Sequence, residues 1–154
     1  MCNLAFRSPF RVKNIQFGYA KLEDGSIIIQ RVAVVDVRVV RDKSPFGVDF
    51  EVIFTTGVAV RASENVIKLL ENKKVLLPGE SPPDSWKVVK IVESAPAVEE
   101  VLFEDKRIGK YLIRVEIEPI MASFNVEVKT FRGDPLYVVK WAPKVVWKKE
   151  VDEK

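Results

Sequence analysis

The chain has no histidine. That single absence removes Ser-His-Asp and Cys-His nucleophilic systems, histidine general bases and nearly all catalytic zinc sites. Acid–base or metal chemistry would have to come from carboxylates, lysines or tyrosines. Two carboxylate pairs have a suitable spacing: Glu116 with Glu118, and Asp49 with Glu51. Residues two apart in a strand project from one face, where such a pair could hold a divalent cation or divide acid and base roles. The same pairs lie beside Arg114 and opposite Arg38 respectively, which is the pattern of a solvated, ion-paired sheet face. Cys2 is the single cysteine. It has no histidine to activate it, and alone it forms neither an internal disulfide nor a multi-cysteine metal site, so a reducing, cytoplasmic compartment is expected. Neither a P-loop nor a G-x-G-x-x-G stretch is present to cradle a nucleotide. Arg132-Gly133-Asp134, followed by Pro135, matches an adhesion tripeptide but is fully explained as a turn between two strands. No catalytic residue, metal ligand or cofactor is assigned on this basis.

The one segment whose composition points to a ligand is TFRGDPLYVVKWAPKVVWKKE, from Thr130 to Glu150. From Thr130 to Lys149 it carries five basic residues against the single acid Asp134, interleaved with Phe131, Tyr137, Trp141 and Trp147. Rings on which bases stack, beside cations that displace counterions from phosphates, are what single-stranded nucleic acid requires. Strand alternation would turn Tyr137 and Trp141 toward the core. Phe131, Arg132, Lys140, Lys144, Trp147, Lys148 and Lys149 then remain as the expected nucleic-acid-binding set.

Apolar residues make up 47% of the 154 and charged residues 31%, enough to bury a core without disulfide or metal. The prominence of Val, Ile, Lys and Glu with little Gln resembles proteins of very hot environments. The formal charge of +3 is too small to be a nucleic-acid footprint by itself. MCNLAFRSPF has no apolar stretch behind a basic start, so no secretory signal is expected. The longest uncharged apolar run, Val52 to Val60, is far shorter than a membrane-spanning helix.

The elements that must position these groups read chiefly as strands. Val35, Val37 and Val39 alternate with Asp36 and Arg38, and Val48, Phe50, Val52 and Phe54 with Asp49 and Glu51, the period of half-buried strands. A hairpin through residues 42–47 would set Val39 opposite Phe50, Val37 opposite Val52, Val35 opposite Phe54 and Arg38 opposite Glu51. Upstream, the loosely alternating stretch from Arg11 to Leu22 meets Asp24-Gly25, a tight-turn pair leading into a strand from Ile27. Gly57 suggests a bulge or change of direction. Ser63 caps a helix over 63–73 with Val66, Ile67, Leu69 and Leu70 as its apolar stripe. Residues 77–85, with three prolines and a glycine, must be an exposed connection.

Trp86 to Glu93 reads as a strand, and 94–105 leans to a short helix through Val98, Val101 and Leu102. A strand from Tyr111 stops at Pro119, and a second hairpin pairs Phe131 with Leu136, Thr130 with Tyr137, Val128 with Val139, Glu127 with Lys140 and Val126 with Trp141. Both halves hold an acidic turn followed by a long strand, as an old duplication would. The expected fold is all-β or β-dominated α+β: seven to nine mainly antiparallel strands in a sandwich or partly open barrel, with one or two short helices. The chain is expected to be a single domain, or two intimately packed halves, 1–77 and 86–149, joined by 78–85. The function expected is a non-enzymatic module binding single-stranded or structured nucleic acid. The alternative is an assembly subunit that binds a protein partner or itself, and the third choice is a carboxylate- and metal-dependent enzyme.

Overall fold

In the computed structural model, which describes residues 10–150, two antiparallel sheets pack face to face with one short helix and no closed barrel. The strands are β1 (Phe10–Gln16), β2 (Gly18–Leu22), β3 (Ile27–Ser44), β4 (Gly47–Arg61), β5 (Lys74–Val75), β6 (Trp86–Val89), β7 (Ile91–Ala95), β8 (Ala97–Asp105), β9 (Gly109–Lys129) and β10 (Pro135–Lys149); α1 is Glu64–Leu69. One sheet runs β1-β8-β9-β10, with β5 and β6 also paired to β9; the other runs β4-β3-β2-β7. The two-residue β5 pairs in parallel with β9; every other pairing is antiparallel. Cys2 lies outside the described residues.

The described strands number ten rather than seven to nine: two stretches that read as single strands each serve both sheets, β5 and β8 are added, and the strands expected on either side of Pro119 merge into β9. The Arg11–Leu22 run breaks at Phe17: β1 pairs with β8 in one sheet, and β2 pairs with β3 and β7 in the other. Gly18 makes the crossing sterically feasible, since a Cβ there would lie 2.4 Å from the backbone nitrogen of Ala97 and 2.8 Å from the carbonyl carbon of Pro96. The Trp86–Glu93 run divides in the same way at Lys90, with β6 on β9 and β7 on β2. Residues 97–105 are strand, not helix, and they pair along their whole length with β9. Local helical spacing there yields to a neighbour on each side, β9 along the whole length and β1 from Val98 to Phe103, which pair its backbone groups in the sheet plane.

The β3–β4 hairpin has Val39 opposite Phe50, Val37 opposite Val52 and Arg38 opposite Glu51 as expected, but Phe54 faces Val34. A bulge at Val35 shifts the register and turns that side chain to solvent. Glu99, buried between the sheets, accepts the amide N–H of Val34 at 3.0 Å and thereby satisfies a donor beside the bulge. Gly57 marks neither bulge nor bend; it sits in regular pairing opposite Arg31.

Strand β9 runs through Pro119 instead of stopping there. Proline is tolerated because the register with β10 shifts beside it, with Pro119 opposite Trp141 and Met121 opposite Lys140. The β9–β10 pairing also differs from expectation. Tyr137 lies opposite Phe124 and Val139 opposite Ala122, six residues from the anticipated partners. Half of the shift is made at the 130–134 turn, which sets Pro135 opposite Lys129, and the other half by a loop-out of β9 near Asn125. This fully buried side chain accepts the N–H groups of Glu127 (3.0 Å) and Val128 (3.2 Å) and donates to the Pro83 carbonyl (2.8 Å). An even shift leaves every side chain on its original face.

Two apolar clusters fill the space between the sheets. The larger joins Val32, Val34, Val37, Val48 and Phe50 to Val101, Phe103, Tyr111, Ile113, Val115 and Ile117. The smaller joins Ala20, Leu22 and Ile28 to Val66, Leu70, Val89, Ala122 and Phe124. Helix α1 is shorter than the expected 63–73. Ser63 caps it, accepting from the Val66 N–H, and of the anticipated stripe Val66 and Leu70 are buried while Ile67 and Leu69 are exposed.

Candidate interaction surface

Strand alternation decides how the basic–aromatic segment is presented. Along β10 the odd positions pair with the core face of β9: Tyr137 with Phe124, Trp141 with Pro119, Val145 with Val115, Trp147 with Ile113. The even positions Lys140, Lys144 and Lys148 pair with Met121, Glu116 and Leu112 on the outer face. Rings and cations therefore part to opposite sides of one strand. Trp141 and Trp147 are half-buried against the larger cluster, and the Trp147 ring meets Phe50 edge-on, centroids 5.4 Å apart at 80°. With Phe46, Val145 and Val146, Trp147 also walls an open apolar cleft of about 440 Å³. Lys149 is on the core-side register opposite Tyr111 and lines a mixed-charge cleft with Glu104, Asp105 and Lys110. Phe131 and Arg132 sit at the exposed 130–134 turn, where the guanidinium lies 5.5 Å from the centroid of the Phe131 ring. The seven residues of the expected set thus divide among the turn, the outer face and the core side.

Tyr137 has a different task. Its hydroxyl donates to Asp24 at 2.7 Å and is 2.8 Å from the Ser26 hydroxyl, which accepts the Ser63 amide N–H at 3.0 Å. With Tyr137 donating to the carboxylate, Ser26 donates to Tyr137, so a directed chain runs from the cap of α1 to Asp24. Asp24 also accepts the Ser26 amide N–H at 2.8 Å. Burial is the main cause pushing the Tyr137 phenol above its usual range; the bond to Ser26 opposes this and the neighbouring Asp24 adds to it. The spacing of Tyr137, Asp24, Ser26 and Ser63 held no sequence signal for this network, because it joins three separate parts of the chain: β10, the β2–β3 turn and the cap of α1.

The carboxylate pairs lie on outer faces with cations beside them. Glu116 is 3.8 Å from Arg114, which also reaches Glu100 at 3.8 Å. Asp49 is 3.4 Å from Arg41 and accepts from the Ser44 hydroxyl at 3.0 Å, while Glu51 is 3.9 Å from Arg38. Among the described residues no three His, Cys, Asp or Glu side chains converge as a metal site would require, and no helix is long and apolar enough to cross a membrane.

The sheet edges differ sharply in how they are guarded. Strand β10 carries Pro143 and Lys140, Lys144, Lys148 and Lys149; β1 is seven residues long with Arg11, Lys13 and a register irregularity; β7 is five residues with Glu93. These are the usual devices against edge pairing: proline, charge, irregularity and shortness. Among the described residues strand β4 pairs only with β3, and from Val52 to Val60 it contains no charge and no proline; the register irregularity of its pairing there places the extra residue on β3, at Val35. Val58 and Val60 lie on the core side of their sheet, opposite Gln30 and Ile28. Yet Val58 is 51% and Val60 36% exposed, while Gln30 and Ile28 are 1% and 0%. The core ends between β3 and β4 at this end of the sandwich. β4 extends beyond it with both faces and one backbone edge open.

No protein-family model, curated protein or solved structure matches the chain.

Proposed function

We propose that this chain is a non-enzymatic assembly module that joins a protein partner by strand addition along β4. The observation that carries the reading is the unguarded edge from Val52 to Val60, nine uncharged residues with Val58 and Val60 uncovered on the core side. An edge strand offers a row of amide donors and carbonyl acceptors, and apolar side chains beside it supply the burial that makes pairing favourable. A lysine at Val58 would place a charge in the new interface while leaving the exposed site otherwise intact. The Val58→Lys chain should fold as the parent does and lose its association, read as solution mass and as proteins retained from a lysate. If parent and variant have the same mass and retain the same proteins, β4 is not an assembly edge.

A second reading, nucleic-acid binding, is favoured by the outer-face row of Lys140, Lys144 and Lys148 together with Arg132 at the turn. Anisotropy of labelled single-stranded DNA and RNA between about 50 and 200 mM salt tests it, because phosphate contacts give a steep salt dependence. Binding that weakens with salt, with a shallower slope in Lys140→Glu/Lys144→Glu/Lys148→Glu, would support this reading. Silence with single strands and duplex at the low-salt end would remove it.

A further inference from the structure

Resting on the assembly reading, we infer that the strand added to β4 is β4 of a second copy, antiparallel across a two-fold axis at Thr56. Along this edge the first acid before the uncharged run is Glu51 and the first base after it is Arg61. A two-fold at Thr56 places each Glu51 opposite Arg61 of the other copy, so both ends of the paired segment close on opposite charges. Between them Val52 meets Val60, Ile53 meets Ala59, Phe54 meets Val58 and Thr55 meets Gly57, with Thr56 opposite itself.

Side chains keep their faces in this register, because partners share parity. Val58 and Val60, exposed on the core side, would cover Phe54 and Val52 of the second copy. Glu51 and Arg61 share the solvent side of the sheet. The neighbouring register, centred on Thr55, would direct Arg61 to Asp49, which is already engaged by Arg41 at 3.4 Å and Ser44 at 3.0 Å. Among the described residues Glu51 has only Arg38, at 3.9 Å, and is the freer acceptor. Isologous pairing of this kind joins the two four-stranded sheets into one continuous eight-stranded sheet and consumes both open edges, so association stops at the dimer.

Sedimentation velocity over a concentration series tests the inference. The parent should approach twice the 17.5 kDa chain mass. Glu51→Arg and Arg61→Glu, each creating two like-charged pairs, should each weaken dimerisation at least tenfold, and the double reversal should restore it. In a Cys2→Ser background, a short bis-maleimide should link Thr56→Cys chains. It should leave Val60→Cys chains unlinked, since position 60 lies eight strand steps from itself, about 26 Å. A parent that stays monomeric, a double reversal that fails to restore the dimer, or linkage at position 60 as readily as at 56 overturns the inference. The assembly reading fails separately: a monomeric parent that still retains a protein lost by Val58→Lys keeps that reading and removes self-pairing.

Discussion

At the scale of single residues, the informative groups are the polar ones the sandwich has enclosed. Tyr137, Ser26 and Asp24 tie β10 to the β2–β3 turn and the cap of α1. Tyr137→Phe leaves Ser26 and Asp24 short of a partner, and an expected cost of about 1–3 kcal/mol would be read from denaturant unfolding. The raised phenol also gives a pH signature. Below its ordinary value near 10.0 the phenol is neutral whether folded or unfolded, so its contribution is intact. Above that value the unfolded chain ionises first, and stability falls as pH climbs toward the higher folded value. Tyr137→Phe should lack this part of the alkaline loss; an identical alkaline profile in both chains would mean the phenol is not held neutral by the fold. Gln30 presents the opposite case. It is fully buried, with neither amide atom bonded to any described residue, and such a group carries an unreturned desolvation cost. Gln30→Met should therefore stabilise the chain by about 1 kcal/mol, and a loss of stability would sink that account.

Among the elements, glycine has two meanings that only neighbours distinguish. Gly18 lies where the chain crosses between sheets, against the backbone of Ala95, Pro96 and Ala97. Gly18→Ala forces backbone apart, and should cost about 3 kcal/mol in thermal or denaturant unfolding. Gly57 has open space where a Cβ would stand, and Gly57→Ala should be neutral or stabilising by up to about 1 kcal/mol. Equal effects of the two substitutions would contradict this division. The same dependence on neighbours explains the elements whose sequence reading differs from the structure. Residues 97–105 carry both helical and alternating spacing, and the places open on β1 and β9 select the strand. Pro119 ends no strand because a register shift absorbs it. The 130–134 turn moves the β9–β10 register by three residues, and a further three are looped out of β9 where the Asn125 side chain bonds to amides two and three residues ahead and to Pro83 across a long loop. No cross-strand match of apolar residues could reveal that device.

For the whole molecule, the question is which surfaces are left open once the two sheets have packed. Alternation in the chain was enough to identify long antiparallel strands, the β3–β4 hairpin down to the Arg38–Glu51 pair, the Ser63 helix cap and the exposed connection at 77–85, because a two-residue period and cap chemistry are local. The candidate surface was legible only in part. Val52 to Val60 is visible as the longest uncharged run, but its uncovered side depends on where the opposing sheet ends. The basic–aromatic segment is equally plain in the sequence, yet its rings and lysines part to opposite faces once β10 joins β9. What the sequence by itself determined was the strand character and most of the faces of the β3–β4 and β9–β10 segments and the start of α1, since each follows from residue type and spacing along the chain. What only the tertiary structure decided was which strand stands at an edge, how far the core reaches beneath it, and which buried polar groups meet. Those depend on contacts between segments as far as 113 residues apart, whose geometry no local period encodes.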